Sequence, residues 1–312
     1  MEETTRERMR LLERALRPTA TAVRHQAQVT AEGNDLLAAG HRLLTEVRAD
    51  IAAQRAATDA VHQRLDNLEA VVTGMARAAG LIDTRNVDYD SWTVAIVAEA
   101  LSRGGTGLDV GAHSGLILRS ILASAPAGRH HAFEPIPELA AGLRRDFPAV
   151  TVHEVALSDA EGTVEFHHVT SNPSYSGIRR RSYTGPEDVE LITVRAARLD
   201  DLVEEDLPVR FLKIDVEGGE LGVLRGATRT LATHRPVTVF EFGRGASDVY
   251  GTTPRDIHDL FAGHGMALGL LDAYLDGRPP LTLAELEDEY DSGRNFYFVG
   301  FPADPAVGPA RA

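Results

Sequence analysis

Apolar and polar positions follow two different rhythms on either side of residue 80. From Leu37 a 3,4 spacing runs through Leu44, Val47, Ile51, Val61, Leu65, Leu68 and Val72 to Met75, weakened at Gly40, Gln54 and Thr58. Such a seam predicts a coiled coil or a long helical hairpin. Residues 1–85 are therefore expected to form an α-helical, coiled-coil segment, with an earlier helix over about 3–17 ending near Pro18. Self-association through these helices, giving a homo-oligomer, is one expectation; an amphipathic helix lying on the following domain is the other. Beyond residue 90 short apolar runs alternate with amphipathic stretches. Strands are predicted over 106–111, 130–134, 150–157, 211–216, 237–242, 266–271 and 296–301, and helices over 114–124, 137–146, 221–234 and 254–264. Residues 163–169 and 191–196 alternate like an antiparallel ribbon. Strands alternating with helices imply an α/β, doubly wound, mainly parallel sheet over 86–303. A flexible tail is expected over 304–312.

Charge narrows the partners. The net formal charge of −14 argues against nucleic acid and anionic membranes, which need a basic face. Arg179, Arg180 and Arg181 are the local exception, read either as a solvated loop or as a contact for an anionic substrate group. No run approaches the ~20 apolar residues of a membrane span, and the N-terminus has no apolar core of a signal peptide. Cysteine is absent, which fits a cytoplasmic protein and excludes thiolate metal sites. The scattered histidines, His167 and His168 included, lack metal-ligand spacing, so no metal site is expected. Lys213 is the only lysine beside many arginines; its retention implies that an arginine would not fit there.

Three blocks carry chemistry. LDVGAHSG (108–115) lies where a strand turns into a helix, so glycine lets backbone approach a ligand and the helix N-terminus offers free N–H groups. Asp109 would repel a dinucleotide pyrophosphate but suit the ammonium of an amino-acid-like cofactor, and the G-x-G-x-x-G spacing of a dinucleotide site is not met. HAFEP (131–135) places Glu134 at a strand end about 20 residues later, the position of a ribose-binding acid. FLKIDVEGGE (211–220) interrupts an apolar strand with Lys213, Asp215 and Glu217, which period 2 puts on one face. Charges so placed mark a site or a mutual ion pair. Glu241 would lie beside them if its strand is a neighbour.

With VALSDAEGTVEF, ARLDDL, the continuation LGVLRGA and PVTVFEFG, these blocks resemble the FkbM family of methyltransferases over roughly residues 90–300. KIDVEG is the most specific mark; one departure from the family pattern is His113 in the glycine loop, where the family more often has Asn. The resemblance implies a class I methyltransferase fold, Rossmann-like with a seven-stranded sheet, and S-adenosylmethionine as cofactor. Carried over by position, Asp109, Gly111, Ala112, His113 and Gly115 would hold the amino acid end of the cofactor. Glu134 would bind the ribose, Ala156 would lie near the adenine and Asp215 beside the sulfonium. Family members commonly methylate hydroxyls on sugars or natural-product scaffolds, so a small-molecule or glycan acceptor is expected.

Transfer to an alcohol needs alignment and a base. Asp215, Glu217 and Glu241 are the candidates, with Lys213 to orient a carboxylate or polarise the acceptor oxygen. The polar insertion 170–190, with Tyr175, Tyr183 and the three arginines, is expected over the acceptor pocket or as a plain surface loop. The alternatives are an N-methyltransferase or a non-catalytic coiled-coil assembly protein keeping a remnant domain; the intact Asp109, Glu134 and Asp215 speak against the latter.

Overall fold

Strand β1 (Thr106–Val110) is buried along its whole length, so it needs neighbours on both edges and cover on both faces. In the computed structural model, which describes residues 85–181 and 186–304, β2 (His131–Phe133) and β7 (Val209–Ile214) flank it in parallel. Outside them lie β3 (Thr151–His153) and β8 (Val237–Glu241), again parallel. Strand β10 (Tyr297–Pro302) runs antiparallel between β8 and β9 (Met266–Leu270). The seven-stranded order is β3-β2-β1-β7-β8-β10-β9. The chain expected to be α/β and doubly wound is so, with one reversed strand.

Alternation along β7 builds two cores. Phe211 faces α1 (Arg85–Ala100), α2 (Leu116–Ser124) and α8 (Leu271–Leu275), through Ile96, Val97, Ile121 and Leu271. Leu212 faces the other way, toward α6 (Thr228–His234), α7 (Pro254–Gly263) and α9 (Leu283–Ser292), through Leu231, Ile257, Phe261 and Leu286. Burying each such side chain stabilises the fold by about 1.5–3 kcal/mol. Helix α3 (Pro137–Asp146) starts with proline at its first position, as its sequence implies.

A second, three-stranded sheet holds β4 (Ala156–Leu157), β5 (Gly162–Val169) and β6 (Val189–Ala197). The β5–β6 ribbon is antiparallel as expected, from Gly162 opposite Ala196 to Val169 opposite Val189. The single strand expected over 150–157 is two: β3 joins the large sheet and β4 pairs with β6. Strand β2 is only three residues long, so β3 runs out of partner and the chain crosses to the small sheet. The helix expected over 221–234 also divides, into α5 (Glu220–Arg225) and α6. Asp200, in α4 (Leu199–Leu202), accepts from Arg229 N at 2.7 Å and Thr230 N at 3.1 Å, starting α6 as an outside cap. Helices α1, α8 and α9 were not anticipated, although Thr282 and Glu285 form a capping box ahead of α9.

No helix among the described residues is long and apolar enough to cross a membrane. The heptad seam, the helix expected over 3–17, Tyr183 and most of the tail lie outside the described residues.

Candidate active site

Because β2, β1, β7 and β8 are parallel neighbours, their carboxyl ends share one edge. Asp109 sits within β1, Glu134 directly follows β2, Asp215 directly follows β7 and Glu241 ends β8. A cavity of about 240 Å³ opens there, lined by Asp109, Glu134 and Asp215 together. Gly111, Ala112, His113, Ala156, Lys213 and Glu217 line it too. Gly115 and Glu241, both anticipated as site residues, are not part of the lining.

The glycine turn shows why. Gly111 has φ 72°, and a Cβ there would lie 1.9 Å from the Asp215 carbonyl oxygen, so the turn wedges against the next strand's exit. Gly115, at φ 79°, precedes α2, and its missing Cβ makes room for the Phe147 ring. His113 N donates to Glu134 Oε2 at 2.9 Å and Ile136 N to Oε1 at 3.0 Å. These bonds lock Glu134, whose carboxyl burial pushes up against them. Burial, then Lys213, pushes the His113 imidazole down, so it is neutral at pH 7.

Lys213 ties the strands together. Its Nζ lies 3.2 Å from Asp215 Oδ2 and 3.8 Å from Asp109 Oδ1 and donates to the Gly111 carbonyl at 3.2 Å. Burial alone would push the ammonium down, but the charges of Asp215 and Asp109 outweigh it and hold it above its ordinary value. Burial likewise works to raise Asp215, but Lys213, a hydrogen bond from Tyr297 Oη at 2.8 Å and Glu241 hold it low. Asp109 differs. It is 1% exposed, neither oxygen has a full hydrogen-bond partner among the described residues, and burial, only partly offset by Lys213 and the Leu118 backbone N–H, leaves its carboxyl raised. Five carboxyl groups, those of Asp90, Asp109, Glu134, Asp215 and Glu217, line the cavity against one lysine. That balance suits a cationic ligand and opposes a pyrophosphate.

The expectation that Lys213, Asp215 and Glu217 share one strand face needs correction. The strand ends at Ile214, and Glu217 takes the left-handed region at φ 58°. Its carboxylate still comes within 4.8 Å of those of Asp215 and Glu241, and Arg181 pairs with it. Burial, then Asp215 and Glu220, pushes the Glu241 carboxyl well above its ordinary value, which favours its neutral form. Glu241→Gln, a neutral near-isostere, is therefore expected to bind S-adenosylmethionine within about threefold of wild type without losing thermal stability; a loss above tenfold would mean an ionised Glu241.

Glu220 lies beneath this loop, 1% exposed, accepting from Val216 N and Gly218 N, both at 3.1 Å. Burial pushes it up to about 7 from 4.5. The folded chain thus holds this proton to higher pH than the unfolded chain. The resulting stability is full below about pH 4.5 and is lost as pH rises through about 7. Glu220→Gln keeps the acceptor oxygen and removes the titration. It should gain about 2 kcal/mol more over wild type at pH 8 than at pH 5, a difference of about 5 °C in parallel thermal melts.

Part of the 170–190 insertion reaches the cavity. Pro173, Ser174, Ser176 and Ile178 form part of its wall. Arg179 N donates to Tyr250 Oη at 2.9 Å, and the Arg181 guanidinium lies over the Tyr175 ring at 5.0 Å. Arg181 is thus committed to Glu217 and Tyr175 rather than free for an anion. His167 and His168 sit on β5, outside the acid group. Sequence reasoning missed Asp90, Thr93 and Tyr297, which also line the cavity.

A parallel sheet with one reversed strand, a glycine turn after β1 and acids at three adjacent strand ends define a class I methyltransferase. The family model for the methyltransferase FkbM domain matches residues 109–266, about half the chain, and the chain belongs to that family. S-adenosylmethionine is its cofactor. The AMB antimetabolite synthetase AmbE of Pseudomonas aeruginosa is 30% identical over 210 residues, 54% of this chain and 10% of that protein. The 2-O-methyltransferase NoeI of Sinorhizobium fredii is 29% identical over 149 residues, 41% of this chain and 59% of that protein. The chain thus spans about a tenth and three fifths of these relatives. The crystal structure of methyltransferase FkbM from Methylobacillus flagellatus aligns with TM-score 0.40 and 17% identity, over 64% of this chain and 44% of that one.

The residues present fit the cofactor. Asp109, whose two oxygens at the cavity wall have no full hydrogen-bond partner among the described residues, answers an ammonium group, and the acid excess answers a sulfonium.

Proposed function

We propose that the protein is an O-methyltransferase acting on a hydroxyl of a sugar or natural-product scaffold. The observation that carries this is Asp215. It is the cavity-lining acid held low by its neighbours, beside a Glu241 whose carboxyl is pushed up and a Glu217 already paired to Arg181. Asp109, Gly111, Ala112 and His113 would hold the amino acid end of the donor, Glu134 its ribose, and Ala156 would lie by its adenine. When bound, S-adenosylmethionine supplies an electrophilic methyl group on a sulfonium. Asp215 takes the proton as the acceptor oxygen gains the methyl, then releases it to water. Lys213 keeps Asp215 oriented, and the wall of Pro173, Ser174, Ser176 and Ile178 excludes water. Because the acids outnumber the one lysine, a neutral polyhydroxyl acceptor fits better than an anionic one. The relative NoeI is a 2-O-methyltransferase by name, which supports transfer to a hydroxyl oxygen.

Incubation with methyl-labelled donor and a panel of glycans, sugar nucleotides and hydroxylated scaffolds, read by mass spectrometry, tests this. One labelled methyl on a hydroxyl oxygen is expected. Label found only on nitrogen would contradict it.

A further inference from the structure

Tyr297 lies beyond the residues matched by the family model, which end at 266, yet it reaches into the site. It begins β10, the reversed strand, directly opposite Glu241 in register. Its ring packs on Tyr89 of α1 at 5.0 Å and on Phe296 at 5.8 Å, and its hydroxyl donates to Asp215 Oδ2 at 2.8 Å. The same oxygen faces Lys213 Nζ at 3.2 Å. Lys213 is shared with Asp109 and the Gly111 carbonyl, so it alone does not fix Asp215; the Tyr297 hydroxyl supplies the second donor to the same oxygen.

We propose that Tyr297 is a positioning residue that holds the Asp215 carboxylate toward the sulfonium of the methyl donor, which rests on the placement of Asp215 given above. A phenol donating to a carboxylate favours its charged form, so removing it lets Asp215 take up a proton at higher pH. Around Asp215 stand Lys213 on its own strand, Asp109 and His113 from β1 and its turn, Asp90 from α1, and Glu241 from β8. Glu217 and Glu220 come from the loop that follows. These groups are present in wild type and variant alike, and Asp215→Asn, which keeps them and removes only the Asp215 charge, isolates the part of the pH dependence that Asp215 carries.

The test is calorimetric affinity for S-adenosylmethionine and for S-adenosylhomocysteine, which lacks the sulfonium charge, at pH 8 and pH 5. The ratio of the two affinities reads the charge at Asp215. A loss of folded protein weakens both ligands alike and leaves the ratio unmoved. Wild type should keep its sulfonium preference at both pH values. Tyr297→Phe should lose that preference several-fold at pH 5 relative to pH 8. Asp215→Asn should lack it throughout, and adding Tyr297→Phe to Asp215→Asn should change the ratio no further. Identical ratios for wild type and Tyr297→Phe at both pH values overturn the proposal. A wild-type protein whose preference survives Asp215→Asn overturns the placement of Asp215 and the proposal with it.

Discussion

Replacing Asp109 with Asn is expected to weaken S-adenosylmethionine binding about a hundredfold or more while leaving the fold as stable as before. The carboxylate is 1% exposed and its oxygens have no full hydrogen-bond partner among the described residues. In the free protein it carries a burial cost only partly offset by Lys213 at 3.8 Å. With a cationic ligand that charge gains its partner. Removing one member of a buried charge pair across an interface costs about 2–5 kcal/mol, and each 1.4 kcal/mol is about tenfold in affinity. Asn keeps the shape and sheds the burial cost, and Lys213 retains Asp215 as its nearer partner. Calorimetry for affinity and a thermal melt for stability separate the readings. A structural Asp109 would lower the melting temperature and lose affinity only as folded protein is lost.

Gly111→Ala should have the largest effect on stability. A Cβ at this position would sit 1.9 Å from the backbone oxygen of Asp215, and backbone cannot swing aside as a side chain can. Asp215 N is itself bonded to the Val110 carbonyl at 3.1 Å, so displacement would pry β1 from β7 at the site. The residue also sits at φ 72°, which costs a residue with a Cβ about 1–2 kcal/mol, and overpacking adds about 1–3 kcal/mol. The melting temperature should fall by about 10 °C, with cofactor binding lost in whatever protein remains folded. A variant melting within a degree or two of wild type would show that the turn relaxes freely.

The legible parts of the fold were those in which local signal and burial agree. Strands β1, β2, β7 and β8 are short apolar runs, each interrupted or ended by one acid, and their parallel pairing follows from the helices between them. The acids of β1, β2 and β7 therefore met in one cavity as read. Residue spacing alone failed where the chain leaves the sheet. Period 2 held for Lys213 and Asp215, but a left-handed residue at Glu217 re-aimed the loop, which no pattern announces. Gly115 carries the same motif signature as Gly111 yet packs on Phe147, since a glycine does not reveal which neighbour needs the space. Glu241 was placed rightly beside Asp215, but the upward push on its carboxyl comes from burial and from the charges of Asp215 and Glu220, which no spacing reveals. Asp90 and Tyr297 come from a helix and a reversed strand far apart in sequence, joined to the site only by the tertiary fold.

The central claim is most directly tested by a crystal structure of the protein with S-adenosylhomocysteine. The account predicts the ligand between the ends of β2, β1 and β7, with its ammonium, ribose hydroxyls and sulfur facing Asp109, Glu134 and Asp215 respectively and hydrogen bonds of about 3 Å to the first two. Ligand density elsewhere, or a cavity at these strand ends that stays filled with water at saturating ligand, would contradict it.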